Sequence, residues 1–188
     1  MPKFIKQEIS TWVIQNLLYA RSGTSQTPYT SITNQVLDLK EEHKIKAIRN
    51  MNDLQAAMKP ILKEIVDKMA DRVYETLNYF LQDYYDGYEP TSYRRQYDFL
   101  RSAVKVEPKV SGNKVIAYVY IDTDYMSNYY NATGYQAAKW ANEGMHGGIT
   151  VDHKPHVWDD TIEETINNGE LLKMAMQYLK SKGITVNV

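Results

Sequence analysis

The longest regular hydrophobic pattern in the chain lies between residues 60 and 85, where an apolar side chain recurs every three or four positions. Charged residues occupy many of the positions in between, which is typical of an amphipathic helix. The apolar positions are Leu62, Val66, Met69, Val73, Leu77, Phe80 and Tyr84. The pattern predicts one helix of roughly 39 Å at 1.5 Å per residue.

Three further residues mark the limits of this helix. Gly87 follows the stripe and is expected to end the helix, because glycine disfavours a helical backbone. Asn52 is a suitable N-cap for a helical pattern that begins there. Pro60 has no backbone N–H, so it either starts a second helix or kinks the first.

Two runs with a period of two follow and predict a β-hairpin. They cover Ala103 to Val110 and Lys114 to Asp122, with Ser111-Gly112-Asn113 as the turn. The second run puts Tyr118 and Tyr120 on one face with Ile116, and four apolar residues on the other. The long helix can cover only one face, so we expect a neighbouring subunit to bury the face with the two tyrosines.

The last forty residues predict a helix and a short strand. Asp160 and Glu163 resemble a capping pair, and Gly169 is expected to break or kink the helix before Gly183 stops it. Residues 184–188 alternate like a strand, and residues 44–49 suit either a short strand or a helical turn. The apolar stripe of the helix is Ile162, Ile166, Leu172, Met176 and Leu179.

The N-terminal segment has its own apolar stripe and a polar continuation. The stripe predicts a helix over residues 4–20, and its members are Ile5, Ile9, Trp12, Val13, Leu17 and Ala20. Residues 22–34 are rich in turn formers and predict a linker. The predicted domains are therefore 1–40, an N-terminal helical arm and linker, and 41–188, an α+β domain in which the long and C-terminal helices pack on a small antiparallel sheet. The arm buries its apolar face on its own domain or on a neighbouring subunit.

Composition narrows the classes of function. The 188 residues carry a net charge of −1, so no overall attraction would hold the chain on nucleic acid. The absence of cysteine excludes disulfides and thiolate metal sites, and fits folding in a reducing cytoplasm. No window approaches the roughly 20 apolar residues of a membrane span. The 16 tyrosines against 3 phenylalanines favour a protein that contacts partners, because tyrosine suits interfaces that are apolar at one end and wet at the other.

Candidate chemistry is confined to a few polar groups. His146, His153 and His156 are metal-ligand types, but their spacing fits no fixed zinc pattern. Asp122 and Asp124 end a strand, where they more often start a turn than hold a metal. A metal-dependent phosphodiesterase or hydrolase using these residues is the alternative function. Our expectation is no metal, no cofactor and no catalysis.

A basic cluster offers a second alternative. Arg94, Arg95, Arg101 and Lys105 lie near Tyr93 and Tyr97, and such a group can face phosphates. A small DNA-binding module is therefore a further possibility. A solvated or interface-bridging edge is the more ordinary reading of such a run.

Residues 84–102, YYDGYEPTSYRRQYDFLRS, resemble the segment that follows the long helix in minor structural proteins of tailed bacteriophages, the head-tail joining, neck and tail-completion family. In that family a proline and then a Tyr-x-Arg lead into a hairpin. Residues 45–54 and 140–144 are also similar, so the likeness covers about residues 44–180. Gln96 stands where a threonine is commoner.

The resemblance implies a virion subunit in a homo-oligomeric ring of the neck, with no catalytic residues and no cofactor. Its partners would be other copies of itself and portal, adaptor or tail proteins of the same virion, with passive contact to packaged DNA and none to membrane. The particle would be assembled in the host cytoplasm. The residues we expect at its interfaces are Trp12, Tyr93, Arg95, Tyr118, Tyr120 and Trp140.

Overall fold

In the computed structural model the chain divides into two compact units. The first unit comprises Met1–Glu8, Ala70–Glu107 and Tyr118–Glu170. The second unit comprises Ile9–Met69, Pro108–Ala117 and Leu171–Val188. The residues described are 6–10, 50–87, 89, 97–112, 114–126, 132–143, 145–146, 149–150 and 156–184. The predicted strand or turn at 44–49 and the alternating residues 185–188 lie outside them.

The first helix, α1, spans Met51–Asp86 without interruption. Its cap is Asn50 rather than the predicted Asn52, because the Asn50 Oδ1 accepts a hydrogen bond from the Asp53 N–H at 3.0 Å. Pro60 neither starts a second helix nor divides this one. Ala56, whose carbonyl would have bonded residue 60, is exposed, so water can take the place of the missing donor. The predicted end at Gly87 is confirmed.

The buried positions of α1 recur at spacings of three and four residues, as on one face of a helix. In the first unit Val73, Leu77 and Leu81 are fully buried, and an ion pair of 2.5 Å between Asp71 and Lys105 ties the helix to the sheet. In the second unit the buried residues include Ile61, Ile65, Val66 and Met69. The predicted stripe is confirmed except at Leu62 and Phe80, which are only half-buried.

The predicted hairpin is confirmed as β2, Ala103–Ser111, and β3, Lys114–Ile121. Gly112 between them has a φ of 58°, a left-handed conformation that glycine adopts without strain. One face of β3 is buried, as predicted, through Val115, Ala117, Val119 and Ile121. The α+β class is confirmed.

A third strand, β1, spans Lys6–Ser10 and completes a sheet of order β1-β3-β2. The prediction of an N-terminal helical arm is therefore wrong over these five residues. Within them the helical stripe rested on Ile9 alone, and pairing with β3 supplies backbone hydrogen bonds that a local pattern does not reveal. The rest of the arm, the linker and the boundary at residue 40 lie outside the described residues.

Helix α2 spans Gly134–Asn142. Thr133 and Gln136 form a capping box: the Thr133 Oγ1 accepts from the Gln136 N–H, and the Gln136 Oε1 accepts from the Thr133 N–H. A short antiparallel pair follows, β4 (Met145–His146) with β5 (Ile149–Thr150).

Helix α3, Val157–Ile162, continues into a π-helical turn, Glu163–Asn167. The predicted capping pair of Asp160 and Glu163 is wrong, because the helix begins earlier and its cap comes from α2. The Asn142 Oδ1 accepts from the Trp158 N–H at 2.8 Å and the Asp159 N–H at 3.1 Å. The residues buried on α3 and this turn are Val157, Trp158, Thr161 and Thr165.

Helix α4 spans Glu170–Ser181, after a break at Gly169 that confirms the prediction. It buries Leu171 and Ala175 rather than the predicted Leu172 and Met176, whereas Leu179 is buried as predicted. Before the break the buried residues are Thr161 and Thr165 rather than the predicted Ile162 and Ile166, so the predicted stripe is displaced by one residue on both sides of Gly169. Gly183, with a φ of 75°, ends the helix, and the Ile184 N–H donates to the Leu179 carbonyl at 2.9 Å.

Replacing Asn142 with alanine should lower the free energy of unfolding by about 1–2 kcal/mol, because two N–H groups at the start of α3 lose their acceptor. Asn142→Asp keeps an acceptor oxygen beside a helix N-terminus and should be far milder. Urea unfolding followed by circular dichroism measures both. Asn167→Ala, which removes one exposed hydrogen bond to Glu163, is the control. An alanine variant as stable as the parent would show that α3 does not need this cap.

Candidate interaction surface

The structure places three of the six predicted interface residues. Tyr118, Tyr120 and Trp140 are half-buried within the single chain. Trp12, Tyr93 and Arg95 lie outside the described residues. Part of the face that carries Tyr118 and Tyr120 is thus covered by the chain itself, so the area left for a neighbour is smaller than the pattern indicated.

A cluster of four aromatic rings lies where α1 ends and the chain approaches β2. We call it the tyrosine platform, and its members are Tyr84, Tyr85, Tyr97 and Phe99. Tyr84 makes edge contacts with Phe99 and Tyr85, at ring-centroid distances of 5.5 and 5.6 Å. Tyr85 stacks with Tyr97 at 5.2 Å and an interplanar angle of 25°. Offset stacks and edge contacts are the arrangements that aromatic pairs prefer.

Hydrogen bonds fix the base of the platform. The Tyr84 hydroxyl donates to the Met145 carbonyl at 3.3 Å, which ties α1 to β4. The chain then turns at residues 97–101, where the Ser102 hydroxyl donates to the Phe99 carbonyl at 2.6 Å. Tyr84, Tyr85 and Phe99 are buried. Three of the four rings are therefore held firmly in place beneath the fourth.

Tyr97 is the exposed member of the platform. The residue is 40% exposed, and its φ is 60°, in the left-handed region. A residue with a Cβ pays about 1–2 kcal/mol for that conformation. Strained residues of this kind concentrate where a side chain must be held in a particular direction. The platform therefore presents one aromatic face outward in a fixed orientation.

Tyrosine also dominates the other exposed apolar positions. Among the described residues the large apolar side chains with high exposure are Tyr79 at 65%, Tyr125 at 55%, Val110 at 49% and Tyr97. A tyrosine at such a position offers apolar area together with a hydroxyl that can bond to water or to a partner. This chemistry suits contacts with other proteins.

Two basic side chains in the first unit are paired with carboxylates. Lys105, a member of the predicted basic cluster, is paired with Asp71. Arg72 pairs with Glu170 at 3.0 Å. Arg101 is exposed, and Arg94 and Arg95 lie outside the described residues. Of the cluster proposed for phosphate contact, Lys105 is thus committed to the fold.

Asp122 and His156, two residues of the alternative metal site, also have structural partners. The Asp122 Oδ1 accepts from the Asp124 N–H at 3.1 Å, which confirms the turn-forming role expected for a strand-end aspartate. A ring nitrogen of His156 lies 2.5 Å from the Asn142 carbonyl oxygen, beside the start of α3. Within the described part of the chain no three His, Cys, Asp or Glu side chains group as a metal site would require. His153 lies outside that part.

A shallow cleft in the second unit lies between α1 and α4. Its volume is about 260 Å³, and its floor includes Ile65, Met69 and Ala175. At its rim the ammonium groups of Lys68 and Lys182 each lie 5.7 Å from the centre of the Tyr178 ring. The Tyr178 hydroxyl also bonds the Glu64 carboxylate. The polar groups of the rim are thus already engaged with one another.

None of the described helices is long and apolar enough to cross a membrane.

The platform cannot be predicted from the sequence pattern. The excess of tyrosine and the motif of residues 84–102 are visible in the sequence, but they do not indicate that Tyr85, Tyr97 and Phe99 meet. The available signal was the density of aromatic residues on both sides of a turn. Their stacking depends on the positive φ of Tyr97, which no propensity favours for a bulky side chain.

Comparison with known proteins gives one positive result. The family model described as YomN matches residues 50–181, which is more than half of the chain. No curated protein matches, and no solved structure matches. The matched residues run from the cap of α1 to the end of α4.

Because of the backbone strain at Tyr97, a glycine variant should be more stable there than an alanine variant, the reverse of the usual order in a helix. Tyr97→Phe keeps the ring and should unfold like the parent. Tyr97→Gly loses the ring but relieves the strain, whereas Tyr97→Ala loses the ring and keeps the strain, so the alanine variant should be less stable than the glycine variant by about 1 kcal/mol.

Thermal and urea unfolding provide the comparison. Glu75, exposed in the middle of α1, is the matched control, because there alanine should be more stable than glycine by about 1 kcal/mol. Finding the same order at both positions would contradict the strain at Tyr97.

Proposed function

The chain belongs to the YomN family, and because that family is phage-derived, we propose that the protein is a structural subunit of a phage virion. Its role in this proposal is to form part of a homo-oligomeric ring in the neck, as a head-tail connector, tail-completion or tail-terminator protein. Family membership is the observation that carries the proposal.

The position in the neck is supported by residues 84–102, which resemble the segment after the long helix in head-tail joining and tail-completion proteins. That segment includes the whole tyrosine platform. Subunits of a ring repeat the same contact around an axis, so one well-oriented patch used many times can determine the assembly.

The exposed tyrosines support assembly through protein contacts. Aromatic anchors dominate the energetics of protein interfaces, and tyrosine is among the residues enriched there. The stacked ring of Tyr97 loses little conformational freedom on binding, because the fold has already fixed it. Tyr118 and Tyr120 on β3 are proposed as a second contact, through the part of their surface that the chain leaves uncovered.

The proposal gives the protein no catalytic step and no cofactor. Three of the groups that the alternatives would use have structural partners instead: Asp122 closes a turn, Lys105 pairs with Asp71, and His156 lies against the Asn142 carbonyl. These arrangements favour the structural role over the hydrolase and over the DNA-binding module.

The proposed partners are other copies of the chain, then portal, adaptor or tail proteins of the same virion. Packaged DNA would pass through the ring with passive contact only. The proposed location is the neck of the virion, after assembly in the host cytoplasm.

The purified protein should form closed rings of several copies. Light scattering would give the mass, and electron microscopy of stained particles would show the ring. A chain that stays monomeric at every concentration, alone and with the neck proteins of its phage, would contradict the proposal.

Replacing Tyr118 and Tyr120 together with serine should weaken assembly while the fold survives, because each aromatic anchor at a hot spot contributes about 2 kcal/mol or more. Tyr79→Ser is the matched control, since Tyr79 is more exposed than either yet lies outside the proposed contact. Sedimentation would follow the oligomer and circular dichroism the fold.

Because both tyrosines are half-buried in their own chain, leucine variants at the same positions provide a second test that preserves apolar packing. Unchanged oligomer mass in folded serine and leucine variants would place the interface elsewhere. Equal weakening by Tyr79→Ser would show that the effect is not specific to β3.

A further inference from the structure

The hairpin has two edges along which another strand could pair, the outer edge of β2 and the outer edge of β3. They differ in whether their residues disfavour such pairing. Among the described residues no strand pairs with the outer edge of β2, which carries Pro108 and the charged residues Lys105, Glu107 and Lys109. Proline and charges are the usual means by which an edge strand avoids pairing with another chain. The composition of β2 therefore disfavours pairing along this edge.

The outer edge of β3 has none of this protection. From Val115 to Ile121 the strand consists of valine, isoleucine, tyrosine and alanine, without a charge or a proline. These are mostly residues with high β-propensity, and a bare edge of this composition is a template for pairing with other strands. The β3 edge therefore needs a strand laid along it.

The strand found there is β1, which is shorter than the edge along which it lies. β1 has five residues against eight in β3. Strands in a sheet pair through backbone N–H and C=O groups, which every copy of the chain carries in the same order. A second copy of the same five residues would therefore make the same backbone hydrogen bonds.

We propose that in the assembled ring each subunit lays its Lys6–Ser10 strand along the β3 edge of a neighbouring copy. The exchange rests on the self-assembly proposed above. It uses the same pairing that the single chain makes, and exchanging an identical element between subunits costs little free energy. The β3 edge is thus an acceptor site, and its partner is β1 of a second copy.

The length of the connection permits this exchange. Residues 11–49 separate β1 from the cap of α1, and a segment of that length would span about 58 Å even as one continuous helix. A subunit of this size has a radius of gyration of about 16 Å, so a neighbour's sheet is within reach. In a ring the neighbour's acceptor edge is held near β1, which gives it a high effective concentration.

Cysteine cross-linking can test the exchange, because the native chain contains no cysteine. One set of chains carries Gln7→Cys or Glu8→Cys in β1, so that both faces of the strand are sampled. A second set, distinguished by a larger tag, carries Lys114→Cys or Ile116→Cys in β3, which leaves the proposed anchors Tyr118 and Tyr120 in place. Chains with one β1 and one β3 cysteine form the third set. Light scattering and circular dichroism establish the oligomer and the fold before oxidation.

Exchange predicts that oxidised rings of the third set run as a ladder of covalently joined chains on a denaturing gel. It also predicts disulfide-linked pairs of one β1 chain and one β3 chain when the first two sets are assembled together. Each single-cysteine chain assembled alone should give no such product, which is the control.

The remaining outcomes overturn the exchange and separate it from the proposed function. Rings whose cysteine pairs close only within one chain, or form no disulfide at any pair, exclude the exchange and leave the ring intact. A monomer whose pair closes internally excludes both.

Discussion

The burial of apolar residues along α1 is the interaction on which the rest of the described fold depends. A helix in water draws most of its stability from packing an apolar face, and each fully buried Leu, Ile or Val contributes about 1.5–3 kcal/mol. Val73, Leu77 and Leu81 do this in one unit, and Ile61, Ile65 and Met69 in the other. The ion pair with Lys105 and the contacts around Tyr178 are partly exposed, so they contribute little to the free energy of unfolding. Their main effect is to orient the groups that they join.

Much of this arrangement could be predicted, because α1 and the hairpin have strong local periods. The failures share a cause: in each, a distant partner decided a local choice. β1 is a strand because β3 offers it an edge, and Asn142 caps α3 from the end of another helix. On α3 and α4 the elements packed against them bury Thr161, Leu171 and Ala175 in place of the next residue in sequence, which a local apolar pattern does not reveal. The platform was missed because it needs a tyrosine at positive φ.

The platform shows how a strained turn and a buried cluster act together. Without Tyr84, Tyr85 and Phe99 beneath it, the left-handed backbone of Tyr97 would relax, since nothing would offset its cost. With them, the exposed ring is oriented before any partner arrives, and less entropy is lost on contact. A surface tyrosine that is free to rotate offers the same contact area, but it loses more entropy on binding and is a weaker anchor. In the proposed ring, the fixed ring of Tyr97 would make the contact.

The sheet adds a second kind of contact with a different physical basis. Side-chain anchors such as Tyr97 recognise shape, whereas the β3 edge recognises any suitably placed extended backbone, so by itself it would be unselective. Selection of the correct strand then depends on which strand is available near the edge. β1 belongs to the same chain and is present wherever β3 is, and the proline and charges of β2 withhold the alternative edge. A subunit built in this way keeps its sheet closed when alone and still has a strand to offer once other contacts hold a neighbour beside it.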